Sequence, residues 1–140
     1  MIGRAARLAL LLAAGARLAA CSPDKLSTVD PNVAPTNRYK AEIVETLRAL
    51  FSKNNTTSVS NAVISDPVLQ SMGGEQRYVA CLRYTAHYAD LSMATNTERV
   101  AYFYGGHVNQ LIEATKEQCG KAIYKPFAEL NALCLGKGCK

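Results

Sequence analysis

Apolar positions recur along this chain with two different periods, and the change of period divides it. In "RYKAEIVETLRALFSK" (38–53), Tyr39, Ile43, Val44, Leu47, Leu50 and Phe51 fall at helical spacing, while Glu42, Glu45, Arg48 and Lys53 take the other positions. This predicts one amphipathic helix, capped at its start by Thr36 or Asn37 and ended by Asn54-Asn55. Its acidic residues oppose an anionic lipid surface, so the apolar stripe reads as core-facing. Downstream, "TTSVSNAVISDPVLQSMGGE" mixes β-branched and turn residues. A short strand is expected at Val63 and Ile64, with turns at Asp66-Pro67 and Gly73-Gly74.

Strand-forming residues then dominate. "RYVACLRYTA" (77–86) is one strand, and "RVAYFY" and "HVNQLIEA" flank Gly105-Gly106 as a tight hairpin. A two-glycine loop places Tyr104 opposite His107, Phe103 opposite Val108 and Ala101 opposite Gln110, with Val100, Tyr102 and Leu111 on the other face. The intervening "HYADLSMATNTE" reads as an exposed loop and a possible binding surface. Thr115 to Gln118 spells a capping box, and Gly120 stops that helix after about one turn. Pro126 suits an early helical position, followed by the apolar side of Phe127, Leu130, Leu133 and Cys134. These elements predict an α+β fold: an antiparallel sheet of about three strands covered by one amphipathic helix, with short C-terminal helices.

The first 37 residues follow a different pattern. Arg4 and Arg7 precede nine apolar residues, "LALLLAAGA" (8–16), too few for the ~20 that span a bilayer, and "LAAC" (18–21) supplies small residues before a cleavage point. Leu18-Ala19-Ala20-Cys21 resembles the bacterial lipobox, departing from the usual pattern only by the charge at Arg17. That resemblance implies a lipoprotein signal peptide over residues 1–20, acylation of the Cys21 thiol and an anchor in a lipid bilayer. Residues 21–37 carry three prolines without apolar periodicity and read as a flexible tether, leaving 38–140 as one small globular domain. Ser22 after the cysteine resembles the outer-membrane sorting pattern, which implies a periplasm-facing outer-membrane location more than an inner-membrane one.

Composition supports a single domain: 140 residues, 49% hydrophobic and 19% charged. The formal charge of +5 is concentrated at the front. Of 16 basic residues three precede Cys21, leaving 13 against 11 acidic ones, a balance of +2 that lacks the basic face needed for nucleic acid.

With Cys21 as a lipid anchor, Cys81, Cys119, Cys134 and Cys139 form an even set in an oxidising compartment and predict two disulfides. Three pairings are open. The glycines in "CLGKGC" (134–139) allow a small ring, which inclines the reading toward Cys81 with Cys119 and Cys134 with Cys139. The spacings match no metal-site pattern, so neither a metal nor another cofactor is expected. His87 and His107 have only Asp90 as a nearby acid in sequence, and no hydrolase, metalloprotease or phosphate-loop motif occurs. A non-enzymatic role follows.

The segments "RYVACLRY", "FYGGHVNQLIEAT" and "EQCGKAIYKPFAELNALC" resemble short alphaproteobacterial lipoproteins of the rhizobial kind, a group that brings no catalytic residues. The resemblance supports the envelope compartment and the disulfides and leaves function open; the lipobox, the tether and the missing catalytic motifs give the first reading, an accessory or interaction role in the cell envelope, docked on another envelope protein. A second reading is a periplasmic binder or inhibitor of a soluble target such as a lysozyme-like hydrolase, though an acidic protruding loop suited to a basic enzyme cleft is missing.

Overall fold

The computed structural model describes residues 29–90 and 93–136. The signal peptide (1–20), Cys21, the first part of the tether and Cys139 lie outside them. Element order is α1 (Tyr39–Lys53), β1 (Thr56–Ser65), β2 (Val68–Met72), β3 (Glu75–Tyr88), β4 (Ala94–Tyr104), β5 (His107–Glu113), α2 (Lys116–Cys119), β6 (Tyr124–Pro126) and α3 (Ala128–Asn131). The strands form one six-stranded antiparallel sheet in the order β5-β4-β3-β1-β6, with β2 also paired to β3. Of the described residues 47% are strand and 22% helix, so the expectation of a three-stranded sheet covered by one amphipathic helix is corrected to a mostly β architecture with three small helices.

Why the extra strand content escaped the pattern is physical. β1 contains a bulge: Ser60 pairs with Thr85 and Val63 with Arg83, so Asn61 and Ala62 together oppose Tyr84. Asn61 sits at φ 53°, the left-handed conformation that asparagine tolerates. The extra residue resets the alternation, and a period-2 count across Thr56–Ser65 fails. The bulge leaves Ala62 backbone groups without ladder partners, and α3 supplies them. Asn131 accepts from Ala62 N–H at 2.8 Å and donates to Ala62 C=O at 3.2 Å, while Phe127 N–H reaches the same carbonyl at 2.9 Å.

The expected loop "HYADLSMATNTE" is also corrected. His87 and Tyr88 finish β3, and Ala94 to Glu98 begin β4, paired from His87↔Ala94 to Arg83↔Glu98. Most side chains of Ala94–Glu98 are exposed, which is why apolar alternation did not mark them. Pro126 lies in β6 rather than in a helix, on a three-residue edge strand where its missing N–H costs nothing.

Side chains alternate between two cores. Ala80, Leu82, Tyr84 and Ala86 of β3 join Ile64, Ala101 and Phe103 on one face. There α1 contributes Ile43, Leu47 and Phe51, each four residues apart, and α3 contributes Leu130. Edge-to-face contacts of Phe51 with Tyr84 (5.4 Å) and Tyr39 with Phe103 (6.1 Å) fix the helix in place. Val79, Cys81 and Val100 point to the opposite face, where α2 covers them.

Both Gly-Gly pairs close two-residue turns with positive φ at each glycine (58° and 86° at 73–74, 58° and 84° at 105–106), the geometry that matches strand twist. Tyr104↔His107 and Phe103↔Val108 pair as the spacing predicts. A bulge beyond them moves Ala101 opposite Leu111 instead of Gln110, and Leu111 packs with Phe103 on the α1 face. The described part of the expected tether lies over this turn: a side chain at Gly105 would meet Val29, and one at Gly106 would approach the Ala34 carbonyl.

Candidate functional site

On the face opposite α1, a groove of about 500 Å³ opens between the β2–β3 hairpin and the segment linking α2 to β6. Val68, Gln70, Val79 and Cys81 line it from the sheet, and Ala122 and Ile123 from the linking segment; Asp66, Glu117, Lys121 and Lys125 stand among the lining residues. Two acids and two bases leave it without net formal charge. Val68, 49% exposed, and Ile123, 80% exposed, keep it apolar at the surface.

A disulfide builds the groove. Cys81 of β3 and Cys119 of α2 are bonded, and both are buried among Val79 and Val100. The four-residue α2 could not stand alone in water, because so short a helix has not recovered its nucleation cost. Its entry is fixed by Thr115 N–H donating to Gln118 Oε1 at 2.8 Å, the half of a capping box that the Thr-x-x-Gln spacing signalled. Gln118 Nε2 donates to Tyr102 Oη at 2.6 Å, and the Gln118 carbonyl accepts from Gln70 Nε2 at 3.4 Å. Helix, strand β2 and strand β4 are thereby tied around the disulfide.

The start of the groove is shaped by Asp66-Pro67, where β1 gives way to β2 along the same side of β3. Proline cannot donate to a ladder. The hydroxyl of buried Ser65 accepts from Cys81 N–H at 2.8 Å and closes the gap. Asp66 is ion-paired with Lys125 of β6 at the surface.

Tyrosines border the same face. Tyr124 Oη donates to Glu98 at 2.9 Å beneath Arg83, whose guanidinium lies 4.1 Å from the ring centroid. Burial, and next the hydrogen bond to the Glu98 carboxylate, push the Tyr124 phenol up to about 12. Burial likewise raises Tyr102 despite its bond to Gln118. These phenols stay protonated and serve as hydrogen-bond donors or acceptors across the neutral range.

Of the residues singled out in the sequence, Cys81 and Cys119 are brought together as a disulfide. Cys134 is also disulfide-bonded. The two histidines serve different contacts. His87 Nε2 lies 2.9 Å from Ser60 Oγ on the neighbouring strand, and His107 Nδ1 lies 2.9 Å from Glu42 Oε1 of α1. Among the described residues no group of three His, Cys, Asp or Glu side chains could hold a metal ion, and no helix is long and apolar enough to cross a membrane.

Sequence reasoning missed β2 and the groove beside it. The signal was present: Gly73-Gly74 follows "VLQSM" as Gly105-Gly106 follows "AYFY", and the same hairpin rule applied to both would have placed β2 against β3. No protein-family model, curated protein or solved structure matches the chain.

Proposed function

We propose that this chain is a lipid-anchored envelope lipoprotein, held in the bilayer through acylated Cys21, whose folded domain has a binding rather than a catalytic role. The observation that carries the reading is the Leu18-Ala19-Ala20-Cys21 lipobox after a short basic region and nine apolar residues. One acyl chain anchors only marginally, whereas two or more hold a protein stably, so a diacylated cysteine makes the domain a membrane-tethered body. The Cys81–Cys119 disulfide agrees with an oxidising compartment, and Ser22 after the lipidated cysteine, which resembles the outer-membrane sorting pattern, favours the periplasmic side of the outer membrane over the inner membrane.

The binding role rests on the groove of the α2 face. Its walls are mostly apolar, with two acids and two bases that cancel in formal charge, and a disulfide and the Gln118 hydrogen bonds hold them in shape, which favours an apolar contact with a partner protein. A photoreactive residue substituted for Ile123 tests this in intact cells. The reading expects a reproducible covalent adduct with another envelope protein, distinct in mass from a pair of this chain. Failure to form one from Ile123, while the protein is present and folded, overturns the docking role.

A further inference from the structure

The two outer strands of the sheet beside its hairpins are treated differently. In a two-residue hairpin the residues flanking the turn form a hydrogen-bonded pair, and backbone direction then alternates along each strand. For β4–β5 the flanking pair is Tyr104↔His107, so Val108 N–H points away from β4. Glu42 of α1 accepts it at 3.0 Å, and that edge is covered. For β2–β3 the flanking pair is Met72↔Glu75, so Val68, Gln70 and Met72 bond inward to β3 while the backbone groups of Leu69 and Ser71 point outward. Among the described residues β2 pairs only with β3. Its sequence "VLQSM" has no charge, and Val68 and Leu69 are 49% and 44% exposed. It carries none of the lysines, prolines or bulges that keep edge strands apart.

We propose that the β2 edge pairs antiparallel with the β2 edge of a second copy of this chain. A two-fold axis at Gln70 satisfies the outward groups. Leu69 of each copy exchanges hydrogen bonds with Ser71 of the other, four in all, and Val68 comes opposite Met72, apolar against apolar. Charge agrees with self-pairing. No ionisable side chain lies within β2, and the antiparallel register brings the Asp66–Lys125 ion pair of one copy toward the Glu75–Arg77 ion pair of the other, each of which is neutral. Like charges therefore do not meet across the axis. Such an axis runs perpendicular to the sheet, so both α2 faces lie on the same side and the two grooves adjoin. The contact is short, which places it among weak, reversible interfaces. It does not depend on lipid anchoring, and its test is independent of the adduct experiment.

Sedimentation of the protein recovered from expressing cells, in density-matched detergent, reads the outcome. A monomer–dimer equilibrium with Kd on the order of 10–100 µM is expected. Ser71→Pro removes an outward N–H and leaves the β2–β3 bonds intact, and Leu69→Lys adds a charge at the axis. Each is expected to weaken association at least about tenfold with an unchanged circular dichroism spectrum. Two variants guard against misfolding of one. A chain that remains monomeric to ~300 µM, or a dimer that survives both substitutions, overturns the proposal.

Discussion

Replacing both Cys81 and Cys119 by alanine tests whether the disulfide holds the groove together. The bond closes a loop with a sequence separation of 38, and the chain-entropy relation assigns such a loop a stabilisation of about 4 kcal/mol. Domains of this size are stable by only about 5–15 kcal/mol in total, so the loss removes a large share. Alanine keeps both positions apolar, and no new buried polar group complicates the comparison. With a urea dependence of about 1–1.5 kcal/mol per molar, the unfolding midpoint falls by roughly 3 M. The effect has a local component as well. Without the bond, α2 is tied to the sheet by the weaker Gln118 contacts with Tyr102 and Gln70 beside its capping hydrogen bond, so amide exchange in Lys116–Cys119 speeds up before global unfolding. A midpoint drop below about 1 M, or α2 amides as protected as in the parent, would refute the reasoning.

Two further outcomes follow from contacts outside the groove. Asn131→Ala strips both side-chain partners from the Ala62 backbone at the β1 bulge, and a destabilisation of about 2–3 kcal/mol is expected in urea unfolding; Asn131→Asp, which keeps the acceptor but loses the donor, falls between. Glu42 contributes to the acid limb. Burial pushes its carboxyl up, but the Val108 N–H and His107 outweigh that and hold it below its ordinary 4.5. Its folded value is the lower one, so its stabilisation is present above the unfolded value and is lost as pH falls through the folded one. Glu42→Gln should flatten that part of the stability profile by under about 1 kcal/mol, given the partial exposure of the pair; an unchanged acid limb contradicts the assignment.

How much of this was legible in the sequence depended on whether a local rule acted alone. α1 could be read because Ile43, Leu47 and Phe51 obey one period and Asn54-Asn55 supplies a stop, with Asn55 at φ 55°. The turn at Gly105-Gly106 and the Thr115–Gln118 cap could be read for the same reason. The end of β1 at Val63 and Ile64 could be read, but its first part was hidden by a bulge whose partner, Asn131, is 69 residues from Ala62, a relation no local window contains. β6 was hidden because three residues carry too little pattern, and Pro126 argued for a helix until the sheet edge was known. The groove was hidden for a related reason: its walls come from β2, β3 and the α2–β6 segment, which only the sheet order and the disulfide bring together. The cysteines showed that a cross-link was expected, but not which surface it would shape.

Membrane anchoring turns on Cys21, and the intact mass of the protein extracted from membranes, measured before and after reduction, tests it most directly. The expected result is a chain that begins at Cys21, carries added acyl mass and gains about four daltons on reduction, two for each of two disulfides. A chain without acyl mass would contradict the anchor and with it the reading of this domain as a membrane-tethered lipoprotein.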